Sequence, residues 1–536
     1  MTRFALNLRG ENNMRFLAAL VALGLALAAP VEAKIFRYAS VGDVSTLDPY
    51  SLDETLQLGV LGNIYEPLVA RSTPDMKLEP ALATEWNQIE PNRWRLKLRR
   101  DVKFHDGSDF KAGDVAFSIA RSQAKTSQVG FRVSGVKVEI VDDYTVDFVT
   151  PGPSPLLMNN LFYLYMMSKS WSEQNGSTEP GGIGRQGAAY ADQNTNGTGP
   201  FRLVKREADV QTVLEPNANW WGEKKHNLTQ VVFRPIKTDT TRLAALLSGE
   251  IDMIFPVPIQ DIERLQRAPG FTLISGPENR SLFLGMDLAR DELLYSDVKG
   301  KNPFKDARVR KAVYEAIDVN AIIRNVLRGQ GEPAKAAALS PVMYGYPTHH
   351  DRLPFDPVAA KKLLTDAGYP NGFGVTLDCP NDRYVKDAEI CQAIAAMLAK
   401  VDIRVSLNAQ SKVRHFPKVT SASNFDTSFA LVGFGPGNFD ASSLQQLLLN
   451  CRGPGQGPWN YSGYCNADMD EIYRKLTTES DPDLRTRLTR QVWDKVHEEA
   501  LYIPLHLQNL AWGARNGVKL VQRPDDVVVL NYVTVD

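Results

Sequence analysis

The sequence predicts an α/β protein of more than one domain, and three observations carry that prediction. The chain has 536 residues, whereas single hydrophobic cores stop growing at about 250–300 residues. Strand-like and helix-like stretches alternate along nearly its whole length. Residues 375–377 and 403–405 read as strands on either side of an amphipathic stretch over 387–400. A strand–helix–strand crossover of this kind implies a mixed or parallel sheet covered by helices.

The elements follow in order. Residues 35–39 are apolar enough for a first strand, and 55–68 carry helical spacing. Trp94-Arg95-Leu96-Lys97-Leu98 alternates apolar and polar side chains, as a half-buried strand does. Residues 136–148 hold two such runs around Asp142-Asp143, a hairpin signal. Residues 231–233 and 240–247 read as strand then helix. Residues 308–327, 357–367 and 387–400 read as three helices, each with an apolar stripe opposite charges. Residues 170–199 and 450–463, rich in Gly with Ser, Asn and Gln or with Pro, read as exposed connections.

The N-terminus has the form of a secretory leader. Arg3, Arg9 and Arg15 precede an apolar run over 16–29, and Val31-Glu32-Ala33 suits cleavage after Ala33. The run is shorter than the roughly 20 residues that span a bilayer. Met14-Arg15 would open such a leader by itself. No cysteine stands near the cleavage site to take a lipid, so the expected destination is a periplasm. The four cysteines, Cys379, Cys391, Cys451 and Cys465, all lie late. In an oxidising compartment they read as disulfides, and local pairing joins Cys379 to Cys391 and Cys451 to Cys465, one of three connectivities. Neither interval contains a His, which makes zinc a poor alternative.

With 61 Lys+Arg against 62 Asp+Glu, and no basic stripe interleaved with aromatics, nucleic acid is not an expected partner. The seven histidines are scattered, and His349-His350 reads as a polar loop pair. No nucleophile elbow, phosphate loop, zinc-protease or dinucleotide motif occurs in a plausible context. No catalytic residue, cofactor or metal is expected.

A string of segments does stand out by its order. It runs Tyr65-Glu66-Pro67-Leu68, Pro80-Ala81-Leu82-Ala83-Thr84-Glu85-Trp86, Phe104-His105-Asp106-Gly107 and Ala112-Gly113-Asp114-Val115-Ala116-Phe117-Ser118. Gly197-Thr198-Gly199-Pro200-Phe201, Trp220-Trp221-Gly222, Ser248-Gly249-Glu250-Ile251-Asp252 and Arg308-Val309-Arg310-Lys311-Ala312 come next. Ala367-Gly368-Tyr369-Pro370 and Tyr502-Ile503-Pro504-Leu505 close the series. Over nearly the whole mature chain it resembles the peptide, nickel and oligosaccharide family of ABC-importer binding proteins. Most segments also have a structural reading. His105-Asp106-Gly107 suits a tight turn, and Trp220-Trp221-Gly222 suits a packed corner.

The resemblance implies a two-lobed periplasmic binding protein fold with two crossing hinge segments. Residues 34–280 plus 504–536 would form the first lobe, with an extra subdomain at about 78–196, and 281–503 the second. It implies a monomeric receptor that encloses a small solute, peptide or amino-acid derivative, and hands it to a membrane permease. An opine, an oligosaccharide or a chelated metal would be the alternative cargo; a hydrolase using Asp440 and His415 is the remote one. In the peptide binders of this family that the chain resembles, the matching stretch carries an aromatic after Gly, followed by an acid that holds the peptide's ammonium. Here Phe434 takes the aromatic place, Gly437 falls where the acid belongs, and Asp440 is the nearest carboxylate. Asp440 is open to two roles, ammonium partner or helix N-cap. Further ligand candidates are Asp43 and Ser45 in the loop after the first strand, and Arg280 before the proposed crossing. Arg383 and Tyr384, at a strand end where α/β folds gather ligands, complete the set.

Overall fold

The computed structural model describes residues 33–181, 189–420, 424–453 and 457–536; the expected leader, except Ala33, lies outside them. Two long antiparallel strands, Phe271–Met286 and Tyr502–Arg515, organise the chain. On one side of this ribbon the main sheet continues through Phe429–Phe434, Gly374–Pro380 and Arg404–Gln410. On the other it continues through Met253–Ile254, Ile35–Ser40, Gln230–Pro235, Gln211–Pro216 and Phe201–Glu207. The architecture is mixed α/β and two-lobed, with the ribbon as the double connection. The expected lobe limits, 280/281 and 503/504, fall inside these two strands.

The strand–helix–strand unit is present as Gly374–Pro380, Asp387–Ala399 and Arg404–Gln410, with the two strands parallel. Residues 83–149 hold a separate antiparallel sheet ordered Ala83–Glu90, Arg93–Leu98, Thr145–Val149, Lys137–Asp142. It contains the expected hairpin. The amphipathic stretch over 308–327 is two helices, Ala307–Glu315 and Val319–Asn325, rather than one. Asp318 breaks it, because its side chain accepts from the Ala321 amide and so caps the second helix. The helix expected over 55–68 ends at Leu61, with Gly62 as its C-cap.

One core fills the first lobe, and its last contributors come from the far end of the chain: Trp512, Val528, Leu530 and Val533. A second core is shared across the ribbon, where Leu246, Val257 and Leu265 join Leu282, Ile394 and Ile503. The family-like motifs knit the first lobe together. Trp220 and Trp221 each donate an indole N–H to Glu66, at 3.0 and 2.8 Å, and Thr198 donates its hydroxyl to the same carboxylate. Burial pushes the Glu66 carboxyl up to about 7, against the pull of those donors. Gly197 lies so close to Ile64 that a Cβ would stand 2.0 Å from the Ile64 carbonyl oxygen, which only glycine tolerates.

Both disulfides are formed in the second lobe, Cys379–Cys391 and Cys451–Cys465, closing loops of 12 and 14 residues. Loops of this length carry about 3 kcal/mol each in the loop-entropy estimate. Thiol titration of unfolded, unreduced protein is expected to find no free cysteine, and reduction to lower the melting temperature of the second lobe by several degrees. Four reactive thiols in the unreduced chain would overturn this pairing.

Candidate functional site

The ribbon parts in the middle. Its register shifts between Pro277 and Ser281, because Pro277 has no N–H to continue the ladder. Glu278, Asn279 and Arg280 bulge out there. Asn279 fixes the segment that follows Phe429–Phe434 by donating to the Pro436 carbonyl at 3.0 Å. Gly435 presses on the bulge so closely that a Cβ would overlap the Asn279 carbonyl oxygen.

Residues 433–440 therefore run along the edge of the second lobe, facing the first. Phe434, Gly435, Gly437 and Asn438 form one wall of a cavity of about 560 Å³. Asp53, Arg132, Pro155 and Leu156 of the first lobe form the opposite wall. Asp53 and Arg132 are ion-paired at 2.7 Å, so this wall offers both signs of charge. Phe434 packs edge-to-face on Trp459. Gly437 is exposed, and a Cβ placed there would meet nothing within 4 Å.

Beyond Gly437 the two lobes touch. The Asn438 carbonyl accepts from Arg71 Nη2 at 2.6 Å and from Asn159 Nδ2 at 3.1 Å. Phe439 stands at φ 56°, a left-handed conformation uncommon for a large side chain. It is 2 % exposed and belongs to the first lobe's core, with the Arg71 guanidinium 4.8 Å from its ring centre. A second cavity, of about 720 Å³, lies beyond this contact, between Arg71, Trp94 and Leu156 on one side and Val342, Tyr344 and Phe439 on the other.

The candidate residues from the sequence separate into groups. Phe434 lines the first cavity. Asp440 lines the second, yet its carboxylate is turned to internal work. It caps Ala441–Leu444 by accepting from the Ser442 amide and hydroxyl, at 2.8 and 2.5 Å, and faces Arg485 Nη2 at 3.4 Å. Asp440 and Arg485 are both nearly fully buried. Arg280, Arg383 and Tyr384 gather at the bulge, where Arg280 pairs with Glu278 at 2.9 Å and the Tyr384 hydroxyl accepts from the Gly433 amide at 2.8 Å. The exposed Arg383 guanidinium lies over the Tyr384 ring and has no ion pair among the described residues. None of these three lines either cavity. Burial and the neighbouring Glu278 charge push the Asp526 carboxyl beside them well above the carboxylate range.

Asp43 and Ser45 stay apart from both cavities. Asp43 accepts from the Val44 and Asp209 amides and pairs with Arg206, and the Ser45 amide donates to Gln57. Residues that sequence reasoning missed are Asp53, Arg71, Arg132, Asn159 and Phe439. Phe439 is two residues from Gly437, but Arg71 meets Asn438 across 367 positions, and no local pattern announces that.

Known proteins resemble this chain in sequence and fold. Residues 77–456 match the family described as bacterial extracellular solute-binding proteins, family 5 Middle. Glutathione-binding protein GsiB of Escherichia coli K12 is 26% identical over 504 residues, covering 92% of this chain and 93% of that protein. The periplasmic binding protein DppA of Helicobacter pylori, solved in complex with the peptide STSA, is 24% identical. It superposes with a TM-score of 0.69 over 94% of this chain and 98% of that one. The substrate-binding protein CtaP of Listeria monocytogenes superposes with a TM-score of 0.80 at 21% identity, over 94% and 99%.

Proposed function

Because the chain belongs to family 5 of the bacterial extracellular solute-binding proteins, we propose that it is the soluble receptor of an ABC importer for a short peptide-like solute. The solute is enclosed between the lobes, and the receptor works in the periplasm after removal of the leader and hands its cargo on as a monomer to a membrane permease. One observation carries the reading. The cavity walled by both lobes sets an aromatic ring and bare glycine backbone against an Asp53–Arg132 pair. About 560 Å³ is within the usual range of small-molecule sites, and paired charges of opposite sign suit a zwitterion. A relative named for glutathione, itself a tripeptide, supports the solute class. Asp53 takes the ammonium-binding part that Gly437 leaves unfilled.

Calorimetry with glutathione and with di- and tripeptides tests this. At least one is expected to bind, with a decrease in radius of gyration by small-angle scattering as the lobes close on it. Asp53→Asn removes a charge-assisted hydrogen bond worth about 1.5–3 kcal/mol, so affinity should fall by about tenfold to a hundredfold. Mass spectrometry of solutes released from freshly purified protein gives an independent reading. A sugar, an opine or a metal chelate found there, with no peptide binding, would overturn the solute class. An unchanged radius with a tightly bound peptide would overturn the enclosure.

A further inference from the structure

We propose that His349, His350 and Asp494 form a binding site for one divalent transition-metal ion of the zinc type on the second lobe, separate from the solute cavities. His349 and His350 turn their Nε2 atoms to the same carboxylate oxygen, Asp494 Oδ1, at 2.6 and 2.7 Å. The three donor atoms lie within 4.8 Å of one another. Adjacent side chains on an irregular segment ordinarily diverge. Here two imidazoles converge with rings 4.0 Å apart, on an acid 145 positions away on the helix Pro482–Glu498.

The donor set is the one borderline-soft cations take. Zn²⁺ binds imidazole nitrogen at about 2.0–2.1 Å and carboxylate oxygen at about 2.0–2.2 Å, and with three protein ligands it keeps a fourth position for water or a partner ligand. His349 and Asp494 remain about one third exposed, which leaves that position reachable. His497, one turn further along the same helix, stacks on His350 with ring centres 4.3 Å apart and planes 13° apart. That contact fixes the imidazole plane, as supporting groups do around metal ligands. With all four cysteines in disulfides, no thiolate competes for the ion.

The position links the ion to the solute cleft. The segment that ends in His349-His350 also supplies Val342 and Tyr344 to the wall of the second cavity. The helix bearing Asp494 supplies Arg485, the partner of Asp440. A cation joining the two would pin the cleft wall to its supporting helix.

Untagged, chelator-treated mature protein, titrated with Zn²⁺ against a chromophoric chelator, tests the site. One equivalent is expected to bind, with a rise in melting temperature. His350→Ala and Asp494→Asn should each weaken binding by about tenfold or more, while Asp53→Asn leaves it unchanged, which separates this site from the solute cavity. No stoichiometric binding at free Zn²⁺ on the order of 0.1 mM would overturn the proposal. So would binding that survives both substitutions, or binding lost with Asp53→Asn.

Discussion

Phe439→Ala is expected to weaken solute binding by roughly a hundredfold or more while leaving the thermal stability of each lobe nearly unchanged. Emptying a buried Phe site costs about 3–5 kcal/mol, and about 1.4 kcal/mol is tenfold in affinity. What matters is where that cost falls. Phe439 belongs by sequence to the second lobe, while its ring packs in the core of the first against Arg71, so those ring contacts require the lobes to be together. Losing them penalises closure and not the folding of either half, and a solute that needs the closed form must make up the difference. The loss should show chiefly in a faster off-rate. Calorimetry for affinity, with differential scanning for stability, separates the terms. Affinity within about threefold of the parent together with a clear drop in melting temperature would overturn the assignment.

Asp440→Asn is expected to do the reverse. Asparagine caps a helix nearly as well as aspartate, so the Ser442 contacts survive. The charge facing Arg485 does not, and breaking a buried pair costs about 3–5 kcal/mol when the remaining ion is left uncompensated. Arg485 keeps bonds to the Leu476 carbonyl and the Ser442 hydroxyl, which puts the expected cost near the lower end, about 3 kcal/mol. Solute affinity should stay within about threefold, because both carboxylate oxygens are already engaged inside the second lobe. A thirtyfold loss of affinity with unchanged stability would instead assign Asp440 to the solute's ammonium.

The division between what was legible and what was not follows the range of the interactions. Strands such as Arg93–Leu98 and helices such as Asp387–Ala399 announce themselves through local periodicity, and both cysteine pairs through proximity in the chain. The break at Asp318 was missed because a helix cap and an exposed acid on a helix look alike until the Ala321 amide is seen to point at it. The length of Phe271–Met286 was hidden by Gly276, Pro277 and Asn279, turn-forming residues that here mark a bulge inside a strand. In the cleft, Phe434 was readable because its motif is contiguous. Asp53, Arg71 and Arg132 were not, because Asp53 and Arg132 meet 79 positions apart and Arg71 reaches Asn438 across the gap between lobes. Asp440 was read as open to two roles, and it took Arg485, 45 positions on, to show how fully its carboxylate is occupied.

The first lobe's dependence on Trp512, Val528, Leu530 and Val533 has a consequence for how the chain comes to be made. A ribosome delivers residues in order, so the lobe begun first is the one completed last. Its opening strand, Ile35–Ser40, waits for nearly the whole polypeptide before its core can be sealed. The cores that fill the other half draw on nothing beyond Ala511 and have less of the chain to wait for. A nascent chain that cannot finish its N-terminal half stays threadable, which is the condition a translocation channel demands of its passengers. Loss of the last twenty or so residues would leave a well-formed second lobe attached to a first one without its final wall.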